Sequence, residues 1–273
     1  MGRLIRLDAE LVRRSLAPSR TRAQTLVEAG LVKVDGQVCT KSARQVDKAQ
    51  AIVVAEDAQD AYASRGGHKL AGALDYLGEC TPRVEGALCL DAGASTGGFT
   101  DVLLRRGAQH VVAADVGYGQ LAWQLQSDER VTVMDRTNVR LLQPQQLPYR
   151  PELTVSDLSF ISLTLVLPAL HRCSDPAGQM LLMVKPQFEV GRENLGAGGV
   201  VRDTQLHQQA VLKVARCAQS LGMGVLAAAP SPLPGPAGNV EYFLHLGMEP
   251  GDGDVQAMVA KAVAEGPAGG RHA

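Results

Sequence analysis

The stretch Ala87-Leu88-Cys89-Leu90-Asp91-Ala92-Gly93-Ala94-Ser95-Thr96-Gly97-Gly98-Phe99-Thr100 constrains this chain more than any other. A short apolar run ends on a carboxylate. Small residues and a glycine pair follow, then a helical pattern runs through Leu103 and Leu104 to Arg106, with Gly107 as its stop. That succession predicts strand, tight turn and helix. Glycine suits the turn because it bends sharply and lets a ligand lie against the backbone. The first N–H groups of the helix point at whatever sits there. The spacing is Asp-x-Gly-x-Ser-x-Gly-Gly, not Gly-x-Gly-x-x-Gly. A strand ending in Asp-x-Gly suits S-adenosylmethionine better than a dinucleotide. With no pyrophosphate to cradle, the ligand's amino-acid end and ribose need acceptors and close backbone approach instead. A turn with a purely structural role is the competing reading.

From Gly67 onward helices and strands alternate. A helix is marked by Leu70, Leu74 and Leu77. Strands are expected at residues 88–91, 111–115, 131–134, 153–157, 180–185, 223–228 and 240–246. Helical patterns fill most gaps, notably 121–126, 163–172 and 204–221. The gap before the last strand holds Pro230, Pro232, Pro234 and Pro236 and admits no helix. The last two strands should therefore pair antiparallel. The expected fold is α/β: a seven-stranded doubly wound sheet with an antiparallel edge region, as in Rossmann-like class I methyltransferases. Its boundaries are set at 67–250, with a helix and frayed tail over 251–273.

Ligands collect at the carboxyl ends of the parallel strands in such a sheet. The residues expected there are Asp91, Asp115, Asp135, Asp157 and Lys185. The oppositely directed last strand brings its beginning, Glu241, to the same edge. Asp115, 22 residues after Gly93, suits a ribose-gripping carboxylate. Asp135 closes the adenine side by analogy, or serves as a helix N-cap. The cofactor set is then Asp91, Gly93, Ser95, Gly97, Gly98, Phe99, Asp115, Asp135 and Asp157.

Ahead of this domain the charge is uneven. The whole chain carries a net −1, but residues 1–50 hold ten Lys/Arg against five Asp/Glu. A basic N-terminal module with an anionic partner follows from that asymmetry. Aromatic residues make up only 4% of the chain, which argues against wide stacking platforms. Five scattered cysteines show no zinc spacing and fit a reducing compartment. No metal is expected. The first residues lack an apolar signal core, and no apolar run approaches the ~20 residues of a membrane span. A cytoplasmic protein is expected, with no membrane or DNA partner and a monomeric state.

Residues 4–57 read as a compact unit: a helix over 9–16, a second helix capped by Ser19 and ended by Gly30, a hairpin around Asp35-Gly36, and a strand over 51–54. Arg-Leu-Asp at 6–8, Ser19-Arg20-Thr21-Arg22-Ala23 and Glu28-Ala29-Gly30-Leu31-Val32-Lys33-Val34-Asp35-Gly36 resemble the S4 RNA-binding domain. The resemblance implies a small α+β module over 1–59 that holds folded RNA through phosphates and shape. Arg6, Arg13, Arg14, Arg20, Arg22, Lys33, Lys41 and Arg44 are the RNA-contact candidates there, with Arg65 beyond. A linker at 60–66 is short enough for both domains to engage one RNA in a defined relation.

Four further residues carry a second resemblance. Lys69 in Ser64-Arg65-Gly66-Gly67-His68-Lys69, Asp157 in Ser156-Asp157-Leu158-Ser159-Phe160, Lys185 in Val184-Lys185-Pro186-Gln187-Phe188-Glu189, and Glu241 in Gly238-Asn239-Val240-Glu241-Tyr242 follow the Lys-Asp-Lys-Glu tetrad of FtsJ-like RNA ribose 2′-O-methyltransferases. With the S4-like module in front, the chain resembles the TlyA family over nearly its whole length. Asp135 stands where a Glu is more expected in such relatives. The resemblance implies S-adenosylmethionine-dependent 2′-O-methylation of cytidine in ribosomal RNA, free or within a subunit. A ribose hydroxyl is a poor nucleophile and must lose its proton as it attacks. A lysine can take that proton only if its pKa is lowered, and a second ammonium nearby helps to lower it. Lys185 is assigned as the base, Lys69 as the tuning cation, and Asp157 and Glu241 as orienting acceptors. Two other readings compete: a haemolysin, a label some relatives carry, which would need an insertion segment not visible here, and a ribosome-binding module with a dead catalytic domain. The glycine-rich stretch from Arg192 to Arg202 reads as a flexible loop beside the site, either an RNA clamp or a plain connection. Trp123 reads as core. Tyr118 borders the cofactor cleft or packs on the surface, and His68 meets phosphate or solvent.

Overall fold

The computed structural model describes residues 4–14, 16–17, 19–28, 30–54, 62–235 and 237–269. Residues 60 and 61 of the expected linker and the last four residues of the expected tail lie outside these. The chain divides into two compact units, Met1–Ala61 and Tyr62–Ala273.

In the first unit β1 (Ile5–Arg6) pairs antiparallel with β4 (Gln45–Val46). Helices α1 (Leu7–Arg13) and α2 (Arg20–Glu28) pack Leu7, Leu11, Ala23, Leu26 and Val27 together. Strands β2 (Val32–Val34), β3 (Gln37–Val38) and β5 (Ile52–Val54) form a sheet in the order β3-β2-β5. Asp35 and Gly36 both take positive φ, the requirement of the two-residue hairpin expected there. The Ser19 hydroxyl accepts the Arg22 N–H at 3.2 Å, as an N-cap should. The pairing of β1 with β4 was not legible, because each strand is only two residues long. Helix α1 starts at Leu7, earlier than expected, since Leu7 and Leu11 share its buried face.

The second unit contains α3 (Gly66–Leu77), β6 (Leu88–Ala92), α4 (Gly98–Arg105), β7 (His110–Ala114), α5 (Trp123–Gln126), β8 (Val131–Met134) and β9 (Leu153–Ser156). It continues with α6 (Leu167–Cys173), β10 (Gln179–Val184), α7 (Thr204–Ser220), β11 (Gly224–Pro230), β12 (Tyr242–Gly247) and α8 (Val255–Glu265). The strands form one sheet in the order β8-β7-β6-β9-β10-β12-β11. Side chains alternate across it. Cys89, Val111, Val155, Leu181 and Phe243 face α3, α4 and α5, whereas Leu90, Val112, Leu182 and Leu244 face α6, α7 and α8. The doubly wound expectation holds. Sequence order reverses between β6 and β9, and that crevice is where such sheets bind ligands.

The last two strands pair antiparallel at one edge of the sheet, as expected: β12 lies between β10 and β11 and runs against both. Strand β11 is the edge and extends to Pro230, a residue without an N–H that an edge strand tolerates. Trp123 is not core. It opens the four-residue α5 and is 77% exposed, while Leu121 and Leu125 take the buried positions.

Candidate active site

The pleat and register bring the tetrad to one edge. Asp157 and Lys185 are the first residues beyond β9 and β10, and Glu241 immediately precedes β12. Val184 pairs with Tyr242, so Lys185 and Glu241 are the next positions past the end of that ladder. Lys69 arrives from the first turn of α3 and forms an ion pair with Glu241 at 2.5 Å. Lys185 pairs with Asp157 at 2.5 Å and donates to the Ser159 hydroxyl at 2.9 Å. The lysines are 5% and 8% exposed. Two nearly buried ammonium groups, each held by a carboxylate, are not a solvated surface. Buried charges persist only when paired and hydrogen-bonded.

The glycine turn lies beside them. Gly93, Ser95 and Gly97 take positive φ in alternation, which folds the loop tightly; for Ser95 this is strained backbone. Gly93 approaches the Asp157 carbonyl so closely that a Cβ would stand 3.0 Å from it. Asp115 holds the turn from the other side, accepting Ser95 N–H at 2.9 Å and Gly117 N–H at 2.7 Å. Asp135 accepts Gly119 N–H at 2.9 Å. Both stand directly past their strands, as expected.

Asp91 is fully buried. One carboxylate oxygen accepts the Thr100 hydroxyl at 2.7 Å, and the other has no partner among the described residues. Burial pushes this carboxyl up to about 7; Thr100 pulls it back, and the charges of Asp157 and Asp115 push it further. An unpartnered buried acceptor at the end of a central strand fits a ligand that carries positive charge. S-adenosylmethionine has both a sulfonium and an ammonium, so the donor set suits it: Asp91 for the cationic end, Asp115 for the ribose diol.

Other expectations are revised. Phe99 does not line a cleft; its ring stacks on Phe243 in the core, 6.0 Å between centroids, and only 3% of it is exposed. Gly97 and Gly98 are small for packing. A Cβ on Gly97 would strike Leu125 and Leu121, and one on Gly98 would strike Ser64 and the backbone N of Gly67, 2.7 Å away. Residues 62–65 pack on this unit: Ala63 N–H donates to Asp101 at 2.7 Å, and Tyr62 stacks edge-on with His68. Arg65 is exposed and donates to the Pro234 carbonyl at 3.2 Å. The loop from Arg192 to Arg202 is pinned, not loose. Asn239 accepts Val201 N–H at 3.0 Å and donates to the Gly199 carbonyl at 3.1 Å, and His207 contacts the Val201 carbonyl at 2.9 Å. Tyr118 is exposed, with the Arg136 guanidinium 4.3 Å over its ring.

Sequence reasoning passed over Phe160. It is 92% exposed, has positive φ, and lies 5.5 Å from the Phe188 ring on the neighbouring loop. Its only signal was an aromatic residue just after a strand-end aspartate.

In the first unit the basic residues are sorted by two buried acids. Asp8 receives Arg6 through two bonds, at 3.0 and 2.8 Å, and Arg20 at 3.3 Å. Glu10 receives Arg13 at 2.7 and 2.6 Å and Arg14 at 2.7 Å. Arg14 also donates to the Lys48 and Gln50 carbonyls, so its guanidinium ties α1 to a loop. Arg13 and Arg20 stay exposed and Arg6 is half-buried. Lys33 and Lys41 are exposed, and Arg22 and Arg44 are half-buried. All five cysteines are free. No metal-holding cluster and no helix long and apolar enough to cross a membrane occur among the described residues.

The profile of the FtsJ-like methyltransferases matches residues 62–248, and that of the S4 domain matches residues 5–52. The 16S/23S rRNA (cytidine-2′-O)-methyltransferase TlyA of Mycobacterium tuberculosis is 52% identical over 271 residues, covering 98% of this chain and all of that protein. Hemolysin A of Brachyspira hyodysenteriae is 35% identical, covering 88% of this chain and 99% of its own. A solved structure from Streptococcus thermophilus, named as a candidate hemolysin, superposes with a TM-score of 0.74 at 36% identity, over 97% of this chain and 96% of its own.

Proposed function

We propose a function from one premise: the chain belongs to the TlyA family, FtsJ-like methyltransferases with an S4 domain in front. It transfers a methyl group to the 2′-hydroxyl of cytidine in ribosomal RNA. Bound S-adenosylmethionine supplies the electrophilic methyl; its C–S bond breaks as the C–O bond forms. Lys185 takes the hydroxyl proton in its neutral form, after giving up to solvent the proton it carries in the Asp157 ion pair. Lys69 adds positive charge beside it and meets the developing negative charge on the ribose oxygen, while Asp157 and Glu241 hold the two amines in place. Phe160, against Phe188, offers an exposed aromatic face on which a splayed base can stack. The arginine fan on Asp8 and Glu10, with Lys33 and Lys41, engages RNA phosphates. A ribosomal substrate assigns the protein to the cytoplasm.

The observation that carries this reading is the pair of nearly buried lysine–carboxylate contacts at one sheet edge, beside a buried Asp91 with a free oxygen. Lys185→Ala tests it. Methyl transfer to ribosomal subunits should fall by about 10²–10⁴-fold, the range for a lost general base, with cofactor affinity within a few-fold. A fully active Lys185→Ala enzyme would refute the assignment. The hemolysin name is that of relatives of this chain.

A further inference from the structure

Two loops carry the Asp157–Lys185 pair. The first leaves β9 and runs from Asp157 to the short helical turn over 163–165; the second leaves β10 at Lys185 and runs through Pro186, Gln187 and Phe188. At their roots they are joined by the β9–β10 ladder, whose last pair is Leu182 with Ser156. Midway they touch through the ion pair, the Ser159–Lys185 hydrogen bond and the Phe160–Phe188 rings. Their far ends are closed by one side chain, Glu189.

Glu189 is 4% exposed. It accepts the Ser162 hydroxyl at 2.6 Å and the Leu163 N–H at 2.7 Å, both at the end of the Asp157 loop. Lys213 of α7 approaches its carboxylate at 3.5 Å and donates to its backbone carbonyl at 2.7 Å. The side chain thus ties the end of the Lys185 loop to the end of the Asp157 loop and to a core helix. Burial opposes its charge, and only the convergence of these donors keeps it satisfied. An apolar residue at this position could fill the space but could not fix the distance between two irregular segments.

We propose that Glu189 is a positioning residue for methyl transfer, a clasp that sets Asp157, Lys185 and Phe160 relative to one another. It touches no reacting atom and acts through the two loops that it joins. The inference rests on the reading of Lys185 and Asp157 as catalytic. Opening the clasp frees both far ends, and the loops are then held only by the midway contacts and the ladder at their roots. Misplacement on the order of 1 Å costs about 10²-fold in rate when it falls on the reacting groups.

The test uses the full-length enzyme with ribosomal subunits and S-adenosylmethionine. Glu189→Ala should lower kcat at least tenfold, with KM for both substrates within about threefold. Glu189→Gln retains an acceptor for the Leu163 N–H and should keep kcat within about threefold of wild type. Ser162→Ala should lower kcat in the same direction, and its combination with Glu189→Ala should be less than multiplicative, because both open one contact. Val259→Ala, a core truncation on α8, controls for stability alone. If Val259→Ala lowers the melting temperature as much as Glu189→Ala and lowers kcat equally, the clasp is only structural and the proposal falls. It falls likewise if Glu189→Ala keeps wild-type kcat, or if its loss lies wholly in KM. A wild-type enzyme that transfers no methyl would instead overturn the functional reading beneath it.

Discussion

Gly98→Ala separates two accounts of the glycine turn. If Gly98 is small so that a cofactor can lie against it, an added methyl should weaken cofactor binding and little else. The structure gives a different reason. The methyl would stand 2.7 Å from the backbone N of Gly67 and collide with Ser64. Ser64 can swing away, but Gly67 is the second residue of α3 and cannot move without that helix. Reaching an ordinary contact of 3.4 Å needs about 0.7 Å of movement. Overpacking of this kind costs about 1–3 kcal/mol, and in a domain of this size each kcal/mol lowers the melting temperature by about 2–4 °C. The displaced turn carries Lys69, whose 2.5 Å contact with Glu241 has no slack. Catalytic groups tolerate about 0.5 Å of displacement, so kcat should drop about 10–10²-fold. The assay pairs a thermal melt with initial-rate kinetics in both substrates. A variant with wild-type melting temperature and kcat, but a raised KM for S-adenosylmethionine, would refute the packing argument and restore the ligand-approach reading.

Cofactor binding should be linked to a proton. Burial leaves the Asp91 carboxyl near pH 7 without ligand, so at pH 6 it is mostly protonated. A cationic ligand against its free oxygen favours the charged form, so binding at pH 6 should release a proton, and affinity should rise between pH 5 and 7 by up to about tenfold per unit. Calorimetry in two buffers of different ionisation enthalpy reads the release; equal heats, or a Kd flat over this range, would contradict it. The first unit should be acid-sensitive. The Arg6 hydrogen bonds hold Asp8 well below the usual carboxylate range, and Arg13, with Arg14, brings Glu10 down to about 2. Both acids therefore stabilise the fold above their unfolded pKa, and that contribution is lost as pH falls through the folded values. Amide resonances of α1 and α2 should lose dispersion between about pH 4 and pH 2; helices still intact at pH 2 would count against the two-acid arrangement.

The doubly wound sheet was legible because its signals are local and repeated: apolar strands, a charged residue at the end of each of the five parallel strands, and helical spacing between. Asp157, Lys185 and Glu241 were legible together because their strand ends share an edge once the topology is granted, whereas Lys69, on α3, entered only through the resemblance to the FtsJ-like tetrad. Packing was not. Phe99 stands in a motif that suggests a ligand, yet its partner, Phe243, lies on the last strand, a pairing that no local pattern encodes. Trp123 looked like core by type, but a four-residue helix has room for few buried positions, and Leu125 takes one of them. Arg14 reads like its basic neighbours; only the fold shows that it spends its donors on carbonyls beyond the hairpin. Glu189 was not legible from Lys185 four residues before it, because Pro186 breaks helical spacing between them. Its partners come from a different loop and helix.

The insertion of β12 between β10 and β11 has a bearing on biosynthesis. Lys69 and Glu241 are 172 positions apart, and their contact waits on the strand that follows Glu241. A ribosome must therefore release almost the entire polypeptide before the centre can assemble, and β11 has no neighbour to dock on until then. Such a long-range closure is slow to form. It means that a nascent chain shortened by its final few dozen residues carries the glycine turn and both lysines but lacks β12 and Glu241, the ion-pair partner of Lys69.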